Sequence, residues 1–310
     1  MPSSKRNLLT LLEFSNSELL GLLKSAEKIK NKPAKFRKAL KGQALAMLFE
    51  KTSTRTRVSF EVGMAQLGGQ ALFLGKQDIQ LGKGETVADT ARVLSRMVQG
   101  IMARTYAHKT VEELAEFSTV PVINGLSDLH HPCQALADLL TVQEKMGGLK
   151  KVQMVYVGDG NNVAHSLLIA AAKTGMNLKV VCPKDYQPVA AVLAAAQKEA
   201  AKTKSVLEVA HTVQGSVKGA DVVYTDVWTS MGQEAEQAKR LKDFAGYQVN
   251  EKLMAESPKA IFMHCLPAYR GEEVSAGVMD GTKSVVFDQA ENRLHAQKAL
   301  LISLMGDKEF

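Results

Sequence analysis

Aromatic residues make up only 5% of the 310-residue chain, with a single tryptophan, and there are just three cysteines. Cys133, Cys182 and Cys265 are far apart and odd in number, which argues against a disulfide framework. The lack of Cys-x-x-Cys or clustered histidines argues against a metal site as well. No apolar run approaches the roughly 18 residues of a membrane helix, so no membrane partner is expected. Lys5 and Arg6 precede a short run of leucines, but Glu13 and Asn16 soon interrupt it. That makes a poor signal peptide and an Arg-poor, hence poor, transit sequence, and a cytoplasmic location is the expectation. The net charge of +7 invites a nucleic-acid reading. The basic residues, however, are spread over the whole chain without interleaved aromatics, so no nucleic-acid partner is expected. A positive field equally suits a small anionic substrate.

Hydrophobic residues, by contrast, make up 45% of the chain, enough for two domains with separate cores. Ser15-x-x-Glu18 predicts a capping box before a helix reaching about Lys30. The continuous apolar run Ala44 to Phe49 predicts a buried strand. Helices near 55–67, 86–98 and 110–117 alternate with strands at 71–74, 100–103 and 120–123. A helix from about Pro132 to Met146 ends at Gly147-Gly148. A second alternating series starts with Val152 to Val157 and continues with strands near 178–182, 206–209, 221–225, 260–263 and 284–287. Regular alternation of this kind predicts an α/β protein with parallel sheets flanked by helices. An amphipathic helix from about Asn292 to Leu304 is expected to pack back on the first domain. The expected domains are 1–146, with the last helix (about 292–310) added to it, and 147–291.

Several segments carry polar chemistry at strand ends. Ser53-Thr54-Arg55-Thr56-Arg57 places hydroxyls and guanidinium groups at a strand-to-helix turn. Free helix N-terminal amides beside charged donors suit an anion there, whereas the bland alternative is a solvated cap. Arg104 ends an apolar strand, the end at which open α/β sheets bind ligands. His130-His131-Pro132-Cys133-Gln134 opens a helix and offers an imidazole and an amide, or merely a cap. Gln80 to Glu85 reads as a loop. Asp226 to Gly232 gathers a carboxylate, a hydroxyl and backbone amides suited to an amino acid, or forms a plain turn capped by Asp226. Gly158-Asp159-Gly160-Asn161-Asn162 is followed by Val163 where a dinucleotide fingerprint needs a third glycine, so no nicotinamide cofactor is expected. In His264-Cys265-Leu266-Pro267 the thiol is either a nucleophile or a small buried residue.

In this order, these segments resemble the aspartate/ornithine carbamoyltransferase family over nearly the whole chain. The shared elements are Ser53-Thr54-Arg55-Thr56, His131-Pro132-x-Gln134 and the Leu266-Pro267 turn. His264-Cys265-Leu266-Pro267 and Ser230-Met231-Gly232 resemble the ornithine branch. The resemblance implies two α/β domains with the active site in the cleft between them, and no cofactor or metal. It implies that carbamoyl phosphate transfers its carbamoyl group to the side-chain amine of L-ornithine, giving L-citrulline and phosphate. By that resemblance Ser53, Thr54, Arg55 and Thr56 bind the phosphate, with Gln80 supplied by a neighbouring subunit of a homotrimer that can assemble further. Arg104 and His131, with Thr56, polarise the carbonyl. Gln134, the backbone around Cys265 and Leu266, and Arg293 complete the carbamoyl pocket. Asn162, Asp226, Ser230 and Met231 hold ornithine, and Cys265 and Asp226 lie near its reacting amine, the cysteine being the residue named as proton acceptor in the family. Arg57 is left out as a structural residue. The nearest competing reading is a sister enzyme acting on putrescine or N-acetylornithine. A catalytically silent anion- or partner-binding paralogue is the reading from another class.

Overall fold

The apolar run at Ala44–Phe49 forms strand β1, and in the computed structural model it lies inside a four-stranded parallel sheet. Residues 5–79, 84–230 and 232–306 are described. The sheet has the order β2-β1-β3-β4, with β2 at Gln70–Gly75, β3 at Gly100–Arg104 and β4 at Val122–Leu126. Helices Thr54–Gln66, Val87–Leu94 and His108–Phe117 make the crossovers between these strands. Strand β3 is buried throughout and β1 nearly so. Coverage on both faces explains their unbroken rather than alternating apolar sequence. Leu48, Ile101, Ala103, Val111, Leu114 and Val122 contribute to one core of this unit. Strand β4 begins two residues later than expected and runs through Asn124, a polar residue that obscures its pattern. Asn124 is fully buried, but its amide donates to the Leu9 carbonyl at 2.8 Å.

Two compact units emerge: Met1–Leu140 with Asn292–Phe310, and Thr141–Glu291. In the first, the expected capping box at Ser15 and Glu18 is present and opens helix Asn16–Asn31. The returning C-terminal segment packs on this same unit, with Lys298 donating to Gln66 and Lys30 to Asn292, each at 2.8 Å.

The second unit holds a five-stranded parallel sheet in the order β7-β6-β5-β8-β9. These strands are β5 (Gln153–Val157), β6 (Asn177–Val181), β7 (Leu207–Ala210), β8 (Val222–Thr225) and β9 (Ile261–His264). Val155, Val157, Val223 and Phe262 anchor a core on one side of it. The strand expected near 284–287 is a correction. Ser284 makes one isolated bridge to Phe262, and helix Val286–Met305 begins immediately afterwards. Asp288 in the first turn favours that helical start. Chain order reverses between β5 and β8, the kind of switch point at which open α/β sheets bind ligands.

Candidate active site

Phe49 pairs in register with Arg104, so the C-terminal ends of β1 and β3 lie side by side. Ser53 follows β1 and caps helix Thr54–Gln66, its hydroxyl accepting from the Thr56 amide at 3.2 Å. Thr56 is fully buried, and its hydroxyl accepts from Arg293 Nη2 at 2.9 Å. Arg293 Nη1 donates to Gln134 Oε1 at 2.9 Å and lies 3.4 Å from His131 Nε2. One guanidinium thus joins the Thr56 helix to the segment opening at His131. Gln134 is held in turn by Asp138, one helical turn on, which accepts from its amide at 2.9 Å.

His131 is 5% exposed. Burial, and then the positive charges of Arg293, Arg104 and Arg55, hold its pKa well below the usual imidazole range. The ring is therefore neutral at physiological pH and can donate a hydrogen bond without carrying charge. Three guanidinium groups around a neutral imidazole, beside a capped helix N-terminus, make a strongly anion-attracting pocket. Cys133 in the same segment is fully buried with its thiol pushed up to about 12, mainly by burial, so it is inert. Arg57 points elsewhere, pairing with Glu61 at 3.0 Å and lying over the Phe73 ring. Thr54 is exposed and Arg55 half-buried at the start of the same helix. Gln80 lies outside the described residues, as does Met231.

In the second unit the chemistry again gathers at strand ends. After β5, Gly158 adopts φ 144° and Gly160 passes against Pro188. A Cβ at Gly160 would lie 2.4 Å from the Pro188 nitrogen. Gly160 thus serves a tight backbone crossing, and Gly158 a positive-φ turn. Asn161 then caps helix Asn162–Thr174 and donates to Asp226 Oδ2 at 2.8 Å. Asp226, just past β8, is 5% exposed. Its Oδ1 accepts from the Val227 amide at 2.8 Å and from the Cys265 thiol at 2.9 Å. Asn162 is half-buried at the first residue of its helix, and Ser230 is half-buried in a turn closed on Gln233.

Cys265 and Leu266 follow β9, and their backbone is fixed from behind. The Leu266 amide donates to His264 Nδ1 at 2.8 Å, so the ring proton resides on Nε2, facing Glu273 Oε1 at 3.1 Å. Leu266 has φ 58°, a left-handed conformation that costs a non-glycine residue about 1–2 kcal/mol. Two fully buried side chains, His264 and Glu273, hold it there. Asn161, Asp138, Glu273 and His264 received no role from the sequence. The four-residue spacing of Gln134 and Asp138 on one helix was the available signal for Asp138.

The first unit therefore assembles Ser53, Thr56, Arg104, His131, Gln134 and Arg293, and the second assembles Asn161, Asp226, Cys265 and Leu266. An α/β protein with a guanidinium-rich anion pocket in one unit and a carboxylate–thiol pair in the other has the equipment of a transferase for small charged substrates.

Comparison with known proteins agrees. Residues 6–144 match the aspartate/ornithine carbamoyltransferase carbamoyl-P binding domain, and residues 150–304 match the Asp/Orn binding domain. The ornithine carbamoyltransferase of Thermococcus kodakarensis is 57% identical over 304 residues, covering 97% of this chain and 96% of that protein. The anabolic ornithine carbamoyltransferase of Pyrococcus furiosus is 56% identical over 308 residues, covering 98% of each. The solved P. furiosus ornithine carbamoyltransferase superposes with a TM-score of 0.93 at 56% identity over 97% of both chains. The Giardia lamblia ornithine transcarbamoylase does so with 0.91 at 38% identity, over 99% of this chain and 100% of that one. The chain belongs to the aspartate/ornithine carbamoyltransferase family.

Proposed function

We propose that this protein transfers the carbamoyl group of carbamoyl phosphate to the side-chain amine of L-ornithine, giving L-citrulline and phosphate. The observation that carries the reading is the arrangement of Arg55, Arg104 and Arg293 around a neutral, buried His131. The full-length likeness to ornithine carbamoyltransferases supports it.

In this reading Ser53, Thr54, Arg55 and Thr56 take the phosphate, and Gln80 of an adjacent subunit adds to them. Arg104, His131 and Thr56 donate to the carbonyl oxygen. Gln134, Arg293 and the Cys265–Leu266 backbone receive the carbamoyl amino group. Attack by the amine makes a new C–N bond and a tetrahedral oxyanion, whose collapse breaks the C–O bond to phosphate. Donors already aimed at that oxygen lower the barrier, each worth about 10²–10³ in rate. Asn162, Asp226, Ser230 and Met231 hold ornithine, whose amine must lose a proton before it attacks. In this reading that proton passes to the Cys265–Asp226 pair, and the hydrogen bond from the thiol to the carboxylate supports treating the two as one unit.

The assembly is a homotrimer, able to associate further, working in the cytoplasm. No described helix is long and apolar enough to cross a membrane. Light scattering measures the assembly. Side-by-side assays with ornithine, putrescine and N-acetylornithine test the acceptor: ornithine should give the highest kcat/KM, and a preference for putrescine would overturn the reading.

A further inference from the structure

One buried ion pair has no place in the chemistry above. Arg240 and Asp159 are 6% and 7% exposed, and Arg240 Nη1 donates to Asp159 Oδ2 at 2.7 Å. Replacing such a pair by apolar residues is often neutral or stabilising, so stability alone does not account for it. The same Nη1 also donates to the Trp228 carbonyl at 3.0 Å, and Nε donates to Glu236 at 3.0 Å. Asp159 belongs to the turn after β5, and Trp228 lies two residues beyond Asp226 after β8. The guanidinium therefore ties together the two turns that carry Asn161 and Asp226. Those turns meet a second time where Asn161 donates to Asp226. Arg240 itself sits on helix Gln237–Asp243, beyond the far end of the 226–236 segment. The helix is followed by Phe244, which stacks on Trp228 with ring centroids 5.7 Å apart.

We propose that Arg240 and Asp159 are positioning residues for the amino-acid site of the second unit: they lock the turn after β5 to the turn after β8 so that Asp226 and Ser230 face ornithine. The proposal rests on ornithine being the acceptor. Neither residue touches the substrate. They act through the Trp228 carbonyl and the β5 turn.

The test uses the full-length protein with Arg240→Met, Arg240→Lys and Asp159→Asn. Trp228 is the only tryptophan, so its emission reports the tie without substrate. Arg240→Met should shift that emission to the red and raise the KM for ornithine about tenfold or more. The KM for carbamoyl phosphate should stay within about twofold, as expected for an independent site. Arg240→Lys keeps a donor for Asp159 but not the fork, and should recover part of the loss. Asp159→Asn, nearly isosteric, should give the same split if Arg240→Met fails to fold. Folded variants with unchanged ornithine KM, or with both KM values raised alike, would overturn the proposal. Wild-type protein that made no citrulline from ornithine would instead remove the acceptor assignment, a separate result visible before any variant is compared.

Discussion

Replacing Arg293 by methionine should disable the anion pocket of the first unit while sparing the amino-acid site of the second. Arg293 is 2% exposed, and its two terminal nitrogens donate to Gln134 and Thr56 at 2.9 Å each. A hydrogen bond from a charged donor contributes about 1.5–3 kcal/mol, and a buried acceptor left unsatisfied costs about 1–3 kcal/mol. Both acceptors share one donor, so their losses will not simply add. The change also removes one of three cations that depress the His131 pKa, letting the ring move back toward its ordinary value. A fall in kcat/KM for carbamoyl phosphate of about 10²–10³ is expected, and Arg293→Lys should be intermediate because one ammonium cannot reproduce the planar fork. Steady-state citrulline formation with each substrate varied in turn gives the rates, and thermal denaturation establishes that each variant is folded. Unchanged carbamoyl phosphate kinetics in folded Arg293→Met would refute the reasoning.

Other outcomes follow from burial and backbone geometry. His131 has a folded pKa depressed below 6.5. As pH falls through 6.5 the unfolded chain takes up a proton that the folded ring refuses, so stability should decline below about pH 6.5. Denaturant titrations at pH 7.5 and 5.5 check this, and the decline should shrink in His131→Gln. Among the thiols, Cys133 and Cys182 are buried with pKa pushed to about 12, so brief alkylation near pH 8 should label the half-buried Cys265 first; mass spectrometry reading Cys133 first would contradict the packing. Gly160→Ala places a Cβ against the Pro188 backbone and should destabilise by about 1–3 kcal/mol. It should also raise the ornithine KM more than that for carbamoyl phosphate, as steady-state kinetics would show.

The alternating α/β plan was legible because β1, β3 and β5 are buried on both faces and read as continuous apolar runs. Strand β4 was misplaced because buried Asn124 breaks its run, and its partner, the Leu9 carbonyl, is remote in sequence. The segment at 284–287 looked like a strand from its two valines and a phenylalanine, yet it becomes the start of a helix with Phe287 exposed. The placement of Ser53, Arg104, Cys265 and Asp226 at strand ends and turns was legible because the apolar runs that precede them mark the strands. What holds them was not. The Asn161 bond to Asp226, the Glu273 support of His264 and the Arg240 tie to Asp159 join residues 65, 9 and 81 positions apart, and no local pattern marks such pairs.

The return of the C-terminal segment to the first unit has a consequence for biosynthesis. Arg293 leaves the ribosome only after the whole of Thr141–Glu291 has been made. Until then the Thr56 hydroxyl and the Gln134 amide oxygen lack their shared cation, and the nascent first unit has an incomplete grip on anions. Completion of that buried cluster of Thr56, Gln134 and Arg293 therefore waits until the second unit has been made.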